Sequence, residues 1–156
     1  MASKAHPTWF AFCRWFSWFF FYRRYGGFRS VGSENIPATG PVIFAPNHVS
    51  HCDPPAVACG CRRRMRFMAK SELFDHKLLG WLISSLGAFR VSRGESDLES
   101  IRVAMELLDQ GEAILIFPEG GRGDGKQMLP MARGVAMLAK RNNAQIIPVG
   151  LIGTFE

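Results

Sequence analysis

A chain of 156 residues, 47% hydrophobic and 12% aromatic, has the size and apolar content for one domain with its own core, which excludes a disordered chain. Lysine and arginine outnumber aspartate and glutamate by 19 to 13, a formal charge of +6, which favours anionic partners such as phosphates, nucleic acid or an acidic lipid surface. The cysteines, Cys13, Cys52, Cys59 and Cys61, follow no disulfide spacing and read as reduced thiols of a cytosolic compartment.

The first element is the most unusual in composition. Trp9 to Tyr22 is mostly aromatic and is interrupted by Arg14. It falls short of the roughly 20 apolar residues of a spanning helix. It also lacks the aliphatic core and small-residue cleavage site of a signal peptide. Trp and Tyr favour the headgroup region of a bilayer, where Arg23-Arg24 would meet acidic lipids. One reading is therefore a helical, membrane-associating segment over residues 1–27 that lies in one leaflet. The competing reading is an aromatic helix packed on the domain's own core. Gly26-Gly27 ends the helix, and the main domain is expected over 28–156.

From there β and α signals alternate. Val42–Ala45 is a short buried strand, Pro54–Ala58 a short helix and Met65–Ala69 a strand of period two. Lys77–Leu86 reads as a helix with Leu78, Leu79, Leu82, Ile83 and Leu86 on one face. Ala88–Val91 is a strand. Ser96–Asp109 is a helix opened by the capping box Ser96-Asp97-Leu98-Glu99, striped by Leu98, Ile101, Met105 and Leu108, and stopped by Gly111. Ala113–Phe117 is a buried strand, Ala132–Arg141 a helix and Ile146–Ile152 the last strand. This alternation predicts an α/β fold, a central, largely parallel or mixed sheet flanked by helices. The basic run Arg62-Arg63-Arg64 with Arg66 reads either as a solubilising loop or as a membrane-facing patch. No recognition helix or stacking aromatics accompany it, so nucleic acid is not expected as a partner.

Three strand exits carry chemistry. The first is Asn47-His48-Val49-Ser50-His51-Cys52-Asp53. A carboxylate near a histidine fixes its tautomer and stabilises its charged form, making a competent general base. No Gly-x-Ser-x-Gly elbow supplies a protein nucleophile, so the attacking group is expected from a substrate hydroxyl. His48, His51, Cys52, Asp53, Cys59 and Cys61 are all metal-ligand types, but they lack finger spacing, and no metal is expected. The second exit is Phe117-Pro118-Glu119-Gly120-Gly121-Arg122. Gly120 to Lys126 fits the start of a nucleotide-binding loop, but Gln127 replaces its hydroxyl residue. What remains is a glycine-rich loop with cations suited to phosphate. The third is Gly87-Ala88-Phe89-Arg90-Val91-Ser92-Arg93, a strand ending in arginine.

Together these motifs resemble the glycerolipid acyltransferases, specifically bacterial-type 1-acyl-sn-glycerol-3-phosphate acyltransferases. Asn47-His48 through Asp53 matches the family's His-x4-Asp block. Gly87 to Arg93 is similar to the second block and Phe117-Pro118-Glu119-Gly120 to the third. Ile147-Pro148-Val149 is similar to the fourth. The resemblance implies His48 as general base on the sn-2 hydroxyl of lysophosphatidic acid and Asp53 as the group that orients it. Arg93, Glu119 and Arg122 would hold the glycerol phosphate, with Gly120 allowing close approach and Lys70 a further basic contact. The acyl donor would be acyl-CoA or acyl-carrier protein, with no cofactor and no metal. Membrane lipids would be partners, at the cytoplasmic face of the cell membrane. The sequence departs from the pattern at Gly121, where the family has Thr, and at Arg90. It ends soon after the fourth block, where relatives continue, which is read either as truncation at the C-terminus or as a minimal or impaired enzyme. The alternative functions are an acyltransferase for a different acceptor, glycerol 3-phosphate or another lysophospholipid, and a peripheral lipid-binding module that has lost catalysis.

Overall fold

The computed structural model describes residues 6–61, 63–91 and 97–154. The first element, α1 (Pro7–Tyr25), is one uninterrupted helix with Pro7 in its first turn and Gly26 at φ +70 closing its end, a conformation that suits glycine. One face of this aromatic helix packs on the domain's own core. Phe10 and Phe21 are buried, the Trp9 indole donates to Ser85 Oγ at 2.8 Å, and α1 packs on α2 (Asp53–Gly60). Phe12, Trp15, Phe16, Trp18, Phe19, Phe20 and Tyr22 remain exposed. Among the described residues no helix is long and apolar enough to cross a membrane.

The sheet is five-stranded and parallel: β1 (Val42–Pro46), β2 (Arg66–Lys70), β3 (Ala88–Val91), β4 (Ala113–Leu115) and β5 (Gln145–Val149), in the order β3-β2-β4-β1-β5. The other helices are α3 (Lys77–Ser85), α4 (Asp97–Asp109) and α5 (Gly134–Asn142). Alternation along the strands divides the core in two. Ile43 and Ile114 join Leu107, Leu108, Val135 and Leu138 of α4 and α5 on one face. Val42, Phe44, Ala113 and Leu115 join Val57, Cys61 and Met65 on the other. A parallel sheet covered on both faces needs near-continuous apolar strands, which is why β1 and β4 read as plain apolar runs. Pro148, which has no N–H to donate, stands in β5 at the sheet edge of the described residues.

Several expectations require correction. On α4 the buried face is centred on Ser100, Ala104, Leu107 and Leu108, while Leu98 is 76% exposed. On α3, Leu78 is 71% exposed and Leu79 also faces solvent. There Gly80 is the buried position: a Cβ on it would lie 2.6 Å from the Phe74 carbonyl oxygen, so the helix crosses its preceding turn only with glycine. The last strand ends at Val149 rather than Ile152.

Two arginines of the run, Arg63 and Arg66, are built into the fold rather than displayed on the surface. Arg66 is buried beneath Gly87, whose φ of +92 suits glycine and where an added Cβ would lie 3.1 Å from a guanidinium nitrogen. Arg63 donates to the carbonyls of Pro37 (3.0 Å), Gly111 (2.7 Å) and Gly40, tying the connector before β1 to the turn after α4. Burial lowers its pKa. Arg64 is exposed, and Arg62 lies outside the described residues, as does Ser96 of the expected capping box.

Candidate active site

The strand order brings three loops together. β1 lies between β4 and β5, so the segments that follow these strands, at the carboxyl edge of the sheet, are neighbours. That edge is where open α/β sheets place their ligands.

Residues 47–53 form a closed turn around one carboxylate. Asp53 is fully buried at the start of α2, and its Oδ2 accepts from the backbone N–H of Val49 (2.7 Å) and of Ser50 (2.8 Å). The same oxygen faces His48 Nδ1 at 2.8 Å. Burial acts to raise the Asp53 pKa, but the hydrogen bonds from His48, Ser50 and Val49, together with the nearby Thr154 hydroxyl, outweigh it, and the net shift is downward. An ionised carboxylate accepts only, so Nδ1 carries the proton and Nε2 of the neutral ring keeps its lone pair. The His48 side chain is 18% exposed, so the pair has one buried member and one that reaches the surface.

The loop after β4 locks this histidine on three sides. Its ring stacks on Phe117 with centroids 3.8 Å apart and planes at 21°. Its backbone N–H donates to Glu119 Oε1 at 2.8 Å, and its carbonyl accepts from the Gly123 N–H at 2.8 Å. Glu119 Oε2 accepts from the Leu129 N–H at 2.7 Å, so both carboxylate oxygens brace backbone. The Phe117–Gly120 turn is closed by a 3.1 Å bond, and Gly120 adopts φ +64 with open space around it. From β5, Leu151 completes the frame: Asn47 Nδ2 donates to its carbonyl at 3.1 Å, and its N–H donates to Asn47 Oδ1 at 2.7 Å. A side-chain amide thus continues the β1–β5 ladder past the last strand residue.

The structure brings together His48, Asp53, Glu119 and Gly120. Arg122, exposed, lies on the same loop one residue before Gly123. Lys70, also exposed, ends β2, separated from β1 by β4. Arg93 lies outside the described residues. Asn47 and the bracing geometry of Glu119 carried no signal that spacing alone reveals, since each acts through a partner 71 to 104 positions away.

His51 is exposed, and Cys52 receives a long contact from the Tyr25 hydroxyl at 3.9 Å. Cys59 donates to the Arg14 carbonyl, and burial, partly offset by Arg14, pushes its pKa up to about 11. Among the described residues no three His, Cys, Asp or Glu side chains are grouped to hold a metal ion. Beside the loop, Phe16, Ser17, Phe20 and Phe21 of α1 and Cys52 and Pro55 line an apolar hollow of about 210 Å³.

The chain is similar to several known proteins. The family model described as Acyltransferase matches residues 27–152. A 1-acyl-sn-glycerol-3-phosphate acyltransferase of Bacillus subtilis is 31% identical over 129 residues, 82% of this chain and 64% of that protein. A lyso-ornithine lipid O-acyltransferase of Pseudomonas aeruginosa is 34% identical over 89 residues, 56% of this chain and 34% of that protein. Among solved structures, the 1-acyl-sn-glycerophosphate acyltransferase PlsC of Thermotoga maritima superposes with a TM-score of 0.79 at 26% identity. That match covers 94% of this chain and 59% of the solved one. The chain therefore spans less than two thirds of the length of these relatives.

Proposed function

Because the chain belongs to the Acyltransferase family, we propose that it moves a fatty acyl group onto the free sn-2 hydroxyl of a 1-acyl-glycerol 3-phosphate, giving phosphatidic acid. The observation that carries this reading is the His48–Asp53 pair, with Nδ1 committed to the carboxylate and Nε2 left to take a proton. The acceptor hydroxyl gives its proton to His48 Nε2 as its oxygen attacks the carbonyl carbon of an acyl thioester. Asp53 steadies the imidazolium that results. The tetrahedral adduct then collapses, the C–S bond breaks, and the thiolate leaves with the proton held by His48. Acyl-CoA or acyl-carrier protein serves as donor, the products are ester and free thiol, and no covalent acyl-enzyme is formed.

Arg122 and Lys70, with Arg93, supply the cations for the acceptor phosphate, and Gly120 leaves backbone accessible on the same loop. Glu119 serves that seat by holding the loop in place. The apolar hollow between α1 and the Asn47–Asp53 loop offers a wall for an acyl chain.

The same reading places α1 on one leaflet at the cytoplasmic face of the membrane, with residues from 28 onward as the catalytic domain. From the half-buried Trp9 outward its rings form a ladder, Trp9–Phe12, Phe12–Trp15 and Trp15–Phe19, at centroid distances of 5.7, 6.2 and 6.2 Å. Trp81 of α3 adds to it, 5.9 Å from Trp9. Arg23 and Arg24 close the last turn, where acidic headgroups suit them.

The deciding test is release of free thiol from acyl-CoA in the presence of lysophosphatidic acid. His48→Ala is expected to lose about a hundredfold to ten-thousandfold in turnover with vesicle binding retained. Unchanged turnover in that variant would sink the mechanism. The Pseudomonas relative favours one further reading, a different lysolipid acceptor, and a panel of lysolipids and glycerol 3-phosphate with one donor separates the two.

A further inference from the structure

Asp53 is held unevenly. Oδ2 accepts from Val49, Ser50 and His48, whereas Oδ1 is buried and completes no hydrogen bond. A buried carboxylate oxygen without a donor is costly, and native structures rarely leave one. A second orphan matches it: the Thr154 hydroxyl, in a residue only 8% exposed, also completes none.

The fold places the two together. β5 runs parallel to β1 with Val149 level with Pro46, and Asn47 fastens Leu151 on both its N–H and its carbonyl. The chain beyond Leu151 therefore runs beside the Asn47–Asp53 turn. Thr154 is also among the groups that lower the Asp53 pKa, so its hydroxyl is already near the carboxylate while short of full hydrogen-bond geometry.

We infer that Thr154 is a positioning residue, its hydroxyl donating to Asp53 Oδ1 in the working site and so fixing the plane in which Oδ2 meets His48 Nδ1. The threonine would act only through Asp53. It gives the last described segment a part in aligning the base. This role rests on His48 being the base, as proposed above.

Thr154→Val keeps the shape and removes the donor, and Thr154→Ser keeps the donor. In the thiol-release assay with lysophosphatidic acid and acyl-CoA, Thr154→Val is expected to lose about tenfold in kcat while KM for both substrates stays within about twofold. Thr154→Ser is expected to recover most of that loss. Should circular dichroism show the valine variant unfolded, Thr154→Ala against Thr154→Ser gives the same contrast. Full activity in the hydroxyl-free variant overturns the assignment, as does a serine variant as slow as the valine one, which would assign the methyl group to packing. His48→Ala run in parallel separates the two ideas. If it is inactive while Thr154→Val is fully active, only the threonine role falls; if it is active, the general-base reading falls first.

Discussion

Asp53 concentrates the local physics of the site. Its folded pKa is lower than that of an ordinary carboxylate, so its bonds stabilise the protein while it is ionised. That contribution is fully present above the unfolded carboxylate value, about pH 4, and disappears as the pH falls through the lower folded value. Urea titrations between about pH 5 and pH 2 should therefore show stability falling with acid, and the Asp53→Asn variant should show a flatter dependence over that window. The same substitution puts a neutral amide opposite the imidazole. Turnover at neutral pH is expected to drop about a hundredfold, with lysophosphatidic acid binding nearly unchanged, because the lost term is stabilisation of the charged histidine. A variant that kept full turnover would show that His48 does not need the carboxylate.

At the scale of the elements, α3 and α1 carry the sharpest expectations. Gly80 holds α3 against the turn at Phe74, and an added Cβ would meet backbone at 2.6 Å, which side-chain motion does not relieve. Gly80→Ala should cost about 1–3 kcal/mol in chemical denaturation. Gly134, which opens α5 with nothing within 4 Å of its Cβ position, should gain a few tenths of a kcal/mol up to about 1 on the same change. If both cost alike, backbone crowding at Gly80 is not the cause. For the aromatic ladder, a chain with Trp9, Trp15 and Trp18 changed to Phe leaves Trp81 as the one indole. On acidic vesicles with brominated acyl chains, Trp81 emission is expected to shift to the blue and be quenched. Vesicle binding with unchanged emission would confine the contact to α1, and no binding would remove the membrane reading altogether.

For the molecule as a whole, what could be read locally was read well. Strands β1 and β4 announce themselves as apolar runs because both sheet faces are covered, and the five-residue spacing of His48 and Asp53 suffices to fold one onto the other. Helix phase was harder: Leu78 and Leu98 satisfy the spacing of a buried stripe, yet the faces turned inward are one or two residues away. The arginines misled because composition cannot distinguish a cation facing water from Arg63, which caps three carbonyls in two separate segments. Strand order, and with it the meeting of the β1, β4 and β5 loops, is set by packing across the whole chain and leaves no local trace.

The Asn47–Leu151 clamp carries a consequence for how the protein is born. Among the described strands β1 is the first to leave the ribosome, yet its neighbours in the sheet are β4 and β5, the last two of them. His48 and Asp53 are thus synthesised early and must wait, unbraced, until Glu119 and then Leu151 emerge. Contacts of such long sequence separation close late and slowly. The emerging chain would carry its exposed aromatic helix long before it carried a finished site, so under the proposed function contact with a lipid surface would precede the capacity for acyl transfer.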